Sequence, residues 1–170
     1  MKDYHIALVG ATGAVGAELL GVLERRNFPV AGLRAISSAR SAGKTVSFKG
    51  RAIPVEALTE NSFAGIDVAF FSAGSEISRT WVPLARKAGA IVIDNSPAFR
   101  MEEDVPLVIP EINATDVRTH RGIIANPNCT AAVALMAIYP LHRAFGVRRV
   151  IAASYQAVSG TGARAIAELK

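Results

Sequence analysis

Residues 4 to 16, YHIALVGATGAVG, confine this chain to a small set of folds. Tyr4 to Val9 is a largely apolar run of strand length, and it meets three glycines spaced by three, Gly10, Gly13 and Gly16. An amphipathic helix is expected from about Ala14 to Arg26, with Val15, Leu19, Leu20, Val22 and Leu23 forming its apolar face. Strand, tight glycine turn and helix make the opening unit of a dinucleotide-binding sheet, with Thr12 standing at the usual second glycine. Glycine lets the backbone approach a pyrophosphate, and the unpaired amides of the helix's first turn bind its charge. Gly10, Thr12, Gly13, Ala14 and Val15 are the candidate contacts, although the same residues would also form a turn without a ligand.

The rest of the chain continues the alternation. Leu33 to Ser37 reads as a second strand, Thr45 to Ile53 as a hairpin or edge strand, and Ile66 to Phe71 as a buried strand ending in Ser72-Ala73-Gly74. Ser75 is expected to cap a helix reaching Ala88, kinked or restarted at Pro83 and stopped by Gly89. Strands follow at Ala90 to Asp94, Leu107 to Ile109, Gly122 to Ala125 and Arg148 to Tyr155. The expected class is α/β, a Rossmann-like, doubly wound and mostly parallel sheet with ligands at the carboxyl ends of its strands. Residues 162 to 170, GARAIAELK, read as a helix that has barely begun, which predicts that the chain is a piece of a longer protein.

Several function classes are disfavoured. The 170 residues contain no apolar run of 18 and no secretory leader pattern, so neither a membrane span nor export is expected. A single cysteine, Cys129, can form neither an internal disulfide nor a zinc site alone, which fits the reducing cytoplasm, and no metal is expected. The net charge of +5 could suggest nucleic acid, yet Arg25-Arg26, Arg40, Lys44, Arg51, Arg118, Arg121 and Arg148-Arg149 are scattered. A solvated surface and one phosphorylated ligand account for them without nucleic acid.

The second strand indicates which dinucleotide. An NAD site places a carboxylate about 20 residues past the glycines to accept from the ribose hydroxyl. Here the corresponding stretch is Ser37-Ser38-Ala39-Arg40-Ser41-Ala42-Gly43-Lys44, with no carboxylate. The hydroxyls of Ser38 and Ser41 and the Arg40 guanidinium suit a 2'-phosphate, so NADP is expected over NAD.

Cys129 lies in ANPNCTAA, residues 125 to 132. Asn126-Pro127-Asn128 reads as a turn, and Thr130 to Tyr139 as a helix, which puts the thiol at a helix N-terminus. There the macrodipole and free amides favour a negatively charged, nucleophilic sulfur. Free cysteines are also common as inert packing residues, so local context leaves both roles open. Beside a nicotinamide, a nucleophilic thiolate implies reductive deacylation. The sulfur attacks an activated acyl carbon and expels its leaving group; hydride reduces the thioester to a thiohemiacetal, which collapses to an aldehyde and frees the thiolate.

GATGAVG at 10 to 16, SARSAGK at 38 to 44, AFFSAGSEISR at 69 to 79, IDNSPAFRM at 93 to 101, DVPLVIPEIN at 104 to 113, ANPNC at 125 to 129 and YQAVSGTG at 155 to 162 together resemble the aspartate-semialdehyde dehydrogenases. The resemblance runs in order along nearly the whole chain. It implies NADPH-dependent reductive dephosphorylation of L-aspartyl 4-phosphate to aspartate 4-semialdehyde, a step toward lysine, threonine, methionine and isoleucine, in a cytoplasmic homodimer or tetramer. It implies that residues 1–127 form the NADP-binding domain and residues 128–170 begin a second, α+β catalytic and dimerisation domain.

The resemblance makes Cys129 the acyl nucleophile, places Asn128 and Arg100 at the substrate phosphate, and has Gln156 orient the substrate. It sets Ser159 and Gly160 at the nicotinamide and Ala73 and Gly74 along the cofactor. Pro97, Thr130-Ala131 and Thr161 depart from the common pattern and bear on loop geometry only. The family's general-base histidine and its basic substrate ligands would lie beyond Lys170, since His5, His120 and His142 all read as structural. Two alternatives are an N-acetyl-glutamyl-phosphate reductase, disfavoured because its cysteine motif usually reads Asn-Pro-Gly-Cys, and a non-catalytic NADP-binding redox module.

Overall fold

The computed structural model describes residues 2–158 and 163–169. Strand β1 (Tyr4–Val9) is followed by helix α1 (Ala14–Arg25), β2 (Val30–Ser37), β3 (Thr45–Phe48), β4 (Arg51–Ala57), β5 (Val68–Phe71), α2 (Ser75–Lys87) and β6 (Ile91–Asp94). A short helix α3 (Pro110–Asn113), β7 (Ile123–Ala125), α4 (Cys129–Phe145) and α5 (Ala163–Leu169) complete the order. Among the described residues the strands form one sheet in the order β3-β4-β2-β1-β5-β6-β7. All neighbours are parallel except the β3–β4 hairpin, which lies at one edge. The chain winds outward from β1 through β2 to β4, then returns to wind the other way through β5, β6 and β7. A crevice therefore opens at the carboxyl ends of β1 and β5, where the winding direction reverses.

β1 shows why its last four residues, Ile6 to Val9, are all apolar. Ile6 and Leu8 join a buried cluster with Leu20 and Leu23 of α1, Ala35, Phe48 and Val55. Ala7 and Val9 point the other way, into a cluster with Phe63, Phe71, Val82 and Ala85 of α2, and Val92. A central parallel strand is covered on both faces, so from Ile6 to Val9 alternation disappears and every position is hydrophobic and buried. At its outer end Lys2 donates to Asp67 Oδ1 at 2.8 Å while the His5 amide donates to Oδ2 at 2.9 Å. The lysine bond chiefly, and the amide bond next, hold the Asp67 carboxyl below the ordinary aspartate range.

Most expected elements lie where the sequence put them, with four corrections. Gly74, at φ +88°, is the N-cap of α2, so Ser75 is the first helical residue and not the cap. Proline inside a helix removes one backbone bond, yet α2 does not restart at Pro83 but is one helix from Ser75 to Lys87, and α4 passes Pro140 to end at the left-handed Gly146. Leu107 to Ile109 contributes a single bridge, Leu107 to Ala125, instead of a strand. Arg148 to Tyr155 is not a strand: no described strand runs beside it to complete a ladder, and Tyr155 is 98% exposed. Helix α3 and the 3-10 turns at 39–41, 60–63 and 114–119 were not anticipated. They are too short to show periodicity.

α4 differs from α1 and α2 in its surroundings. It carries Val133, Leu135, Met136, Leu141 and Phe145, all exposed, and contains no buried residue. Leu135, Ile138 and Tyr139 of this helix line, with the segment 107–113, an open apolar pocket of about 400 Å³. Among the described residues no helix is long and apolar enough to cross a membrane.

Candidate active site

The sheet brings three loops to one edge of the crevice. After β1, Gly10 adopts φ +93°, and a Cβ there would lie 2.3 Å from the Ser72 carbonyl oxygen in the loop after β5. Gly16, on the first turn of α1, is pressed equally close to the Gly10 carbonyl, again 2.3 Å from an added Cβ. These glycines therefore let strand loop, neighbouring loop and helix touch. Gly13 is the uncapped N-cap of α1, and the helix's first bond runs from the Ala17 amide to the Gly13 carbonyl at 2.9 Å. The amides of Ala14, Val15 and Gly16 thus have no intrahelical acceptor, which makes an anion site at the crevice.

Thr12 and Ser37 join the first two loops through their hydroxyls, 2.8 Å apart. Beyond Ser37, Ser38 and Arg40 are exposed and Ser41 is buried in a 3-10 turn, and among the described residues Arg40 has no ion-pair partner. Ala73 and Gly74 follow β5 on the other side, and nothing lies within 4 Å of a Cβ added at Gly74. Free amides, hydroxyls, one unpaired guanidinium and an open glycine suit a phosphorylated dinucleotide.

The second half of the site grows from β6 and β7. Asp94, the last residue of β6, is fully buried, and its carboxylate accepts from Ser78 Oγ at 2.9 Å, the Ser96 amide at 3.0 Å and Ser96 Oγ at 2.8 Å. These donors satisfy a group that would be costly to bury bare. They also fix the loop carrying Asn95 and Arg100. Half-buried Arg100 donates Nε to the Asn126 carbonyl at 2.8 Å and Nη2 to the Asn95 carbonyl at 2.9 Å. Its side edge is thereby occupied, while the Nη1–Nη2 end keeps its donors.

The Asn126 carbonyl belongs to the turn that leads into α4. Asn128 is the N-cap, with Oδ1 accepting from the Thr130 amide at 2.9 Å. That is the geometry expected of asparagine at a helix start, and it leaves the Asn128 Nδ2 group without a partner among the described residues. Cys129 is the first residue of α4, and its side chain is exposed. The first intrahelical bond runs from Ala132 to the Asn128 carbonyl at 2.9 Å, so the Cys129 and Ala131 amides lack helix partners. Gln156 is brought to the same turn, where its Oε1 accepts from Thr130 Oγ1 at 3.2 Å.

Cys129, Asn128, Arg100 and Gln156 therefore share one end of the molecule, while Ser159 and Gly160 lie outside the described residues. Asp94, Asn95 and Asn126 were not singled out in the sequence. Their contribution is made through backbone carbonyls and a buried carboxylate, which no spacing rule reveals. The histidines stand elsewhere. His5 is the second residue of β1 and His120 precedes β7, both at the amino ends of parallel strands, and His120 Nδ1 is occupied by the Gly122 amide at 3.0 Å. His142, on α4, is 13 residues from Cys129, about 20 Å along the helix. Among the described residues no group of His, Cys, Asp and Glu is placed to hold a metal ion.

Residues 5–120 match the family model described as semialdehyde dehydrogenase, NAD binding domain, and residues 138–170 match the semialdehyde dehydrogenase dimerisation domain. The aspartate-semialdehyde dehydrogenase of Aquifex aeolicus is 53% identical over 170 residues, covering 98% of this chain and 50% of that protein. A crystal structure of aspartate semialdehyde dehydrogenase II from Vibrio cholerae superposes with TM-score 0.94 at 44% identity, over 99% of this chain and 51% of that one. The same enzyme from Candida albicans, solved with NADP, gives TM-score 0.66 at 26% identity over 85% of this chain and 48% of that one. The chain spans about half the length of the relatives it matches. By its fold, its glycine cradle and the match over residues 5–120, the chain belongs to the semialdehyde dehydrogenase family and carries that family's NAD(P)-binding domain.

Proposed function

We propose that the protein carrying this chain reduces L-aspartyl 4-phosphate to L-aspartate 4-semialdehyde, with NADPH as reductant and a thioester on Cys129. The observation that carries this reading is the exposed thiol at the first position of α4, with the open end of Arg100 tethered to the preceding turn. In this reading Cys129 Sγ attacks the acyl carbon. The free Nη donors of Arg100 and the Asn128 amide hold the departing phosphate as negative charge collects on it. Gln156, anchored through Thr130, orients the acyl chain. Ala14, Val15, Ser38, Arg40, Ser41, Ala73 and Gly74 hold the cofactor, and Ser159 and Gly160 are assigned to its nicotinamide end. When bound, NADPH supplies the hydride that reduces the thioester. A general base is assigned to residues outside this chain, because none of its histidines reaches the thiol.

Residues 1–127 are proposed as the cofactor domain, and residues 128–170 as the opening of a catalytic and dimerisation domain that makes the protein a cytoplasmic homodimer or tetramer. Turnover separates the substrates: the full-length protein should form NADPH from aspartate semialdehyde only when phosphate is present. Equal or faster turnover of N-acetylglutamate semialdehyde would overturn the assignment.

Cofactor choice is tested on the chain itself. Arg40→Ala should weaken NADP binding about 10- to 100-fold, the range of one charge-assisted hydrogen-bonded pair. NAD binding should stay within about twofold, since that cofactor has no 2'-phosphate to lose. Isothermal titration with both dinucleotides reads the difference, and an equal loss for both would remove Arg40 from the 2'-phosphate site.

A further inference from the structure

The loops after β6 and β7 are joined side chain to side chain at one place: Asn126 Nδ2 donates to Asn95 Oδ1. The same two residues offer their backbone carbonyls to Arg100, Asn126 to Nε at 2.8 Å and Asn95 to Nη2 at 2.9 Å. Each is rooted in the sheet: the Asn95 amide donates to the Phe71 carbonyl at 2.9 Å, and the Asn126 amide to the Asp94 carbonyl at 2.8 Å. From this closed ring we infer that the Asn95–Asn126 pair is a latch that positions Arg100, so that its free Nη1–Nη2 end faces an anion beside Cys129. The inference rests on the phosphate role of Arg100 proposed above and assigns the pair no contact with substrate.

The physical argument concerns what each contact constrains. An arginine side chain has several rotatable bonds and loses considerable freedom when held in one pose. Two carbonyls at a fixed spacing hold its planar fork, but only if the two loops that bear them keep their separation. Asn126 is exposed, so its side chain buries no core surface. Removing that side chain leaves the carbonyl in the chain but frees the turn to shift relative to Asn95. Arg100 then keeps its charge and loses its aim. The expected consequence is a weaker anion site in a folded protein.

The test uses inorganic phosphate as the probe and alkylation of Cys129 by iodoacetamide as the readout, with each variant referred to its own rate at zero phosphate. Phosphate should slow alkylation of the unsubstituted chain, and Arg100→Ala should abolish that protection. Asn126→Ala and, independently, Asn95→Ala should raise the half-protecting phosphate concentration about three- to tenfold, the effect of one neutral hydrogen bond. The Arg100 Nε–H resonance should exchange faster with solvent in both variants, a signature that loss of a merely structural side chain would not produce. Adding Asn126→Ala to Arg100→Ala should change protection no further. Unchanged half-protection in both asparagine variants, with Arg100→Ala active in the test, overturns the latch and leaves the Arg100 role standing. Full protection in Arg100→Ala overturns that role and the latch with it.

Discussion

Cys129→Ala is expected to abolish acyl transfer to this chain. Incubated with an activated aspartyl analogue, the unsubstituted chain should gain the mass of one acyl group at Cys129, and the variant should gain none. In the full-length protein the same change should lower kcat by on the order of a millionfold, as deletion of a nucleophile does in other acyl-transfer enzymes. The size of the effect follows from geometry. No other side chain with comparable nucleophilicity stands at the first turn of α4: Asn128 is the cap, Ala131 has no functional group, and the Thr130 hydroxyl is engaged by Gln156. Because the thiol is exposed, its removal opens no cavity, and stability should change by no more than about 0.5 kcal/mol. Catalysis and folding therefore separate in this variant. Cys129→Ser should also gain no acyl group on this chain, because a serine hydroxyl is a far weaker nucleophile than a thiolate. Acyl groups spread evenly over lysines and hydroxyls, with Cys129→Ala labelled as much as the parent, would sink the nucleophile assignment.

The place of Cys129 at a helix start was legible in the sequence because its signal is local. Asn-Pro-Asn before an unbroken run of helix formers places residue 129 at a helix start, and the structure puts it at the first helical position. The parallel sheet was legible for a related reason: the central strands are buried from both sides, which shows as the apolar runs Ile6 to Val9, Val68 to Phe71 and Ile91 to Ile93. Where the reading failed, the deciding interaction was remote in sequence. Asn126 and Arg100 are 26 residues apart, and Asn95 and Asn126 are 31 apart. Asp94 looked like the polar end of a strand and is in fact a buried acceptor for Ser78, 16 residues earlier. The segment from Arg148 to Tyr155 has a strand's composition, but composition does not supply the neighbour that a ladder requires. Pro83 and Pro140 carry a related lesson, since the surrounding helix can absorb one missing amide that a local rule treats as a break.

Gly10→Ala should be the most damaging single-atom addition in the cofactor half. The conformation, φ +93°, strains any L side chain, and the new Cβ would meet the Ser72 carbonyl oxygen at 2.3 Å and its carbon at 2.7 Å. Both neighbours are backbone, so no rotamer change relieves the clash. The Ser72 amide donates to the Val9 carbonyl at 2.9 Å, and the Gly10 amide to the Ile36 carbonyl at 2.9 Å, which ties the colliding groups to three adjacent strands. Relief requires the loops after β1 and β5 to part. The combined strain is on the order of 3 kcal/mol, which lowers Tm by about 6 to 12 °C for a domain of this size. Parting the loops also moves the Ala14 and Val15 amides away from Ala73 and Gly74 across the crevice, so NADP affinity should fall more than about tenfold below the melting transition. Gly13→Ala provides the comparison at the same turn. Its φ of −80° is ordinary, and an added Cβ there would meet only the Gly10 carbonyl, at 3.3 Å. It should cost less than about 1 kcal/mol. Thermal unfolding of both variants decides the matter: a Gly10→Ala transition within about 1 °C of the parent would show that the two loops part without strain and that their contact does not shape the cofactor site.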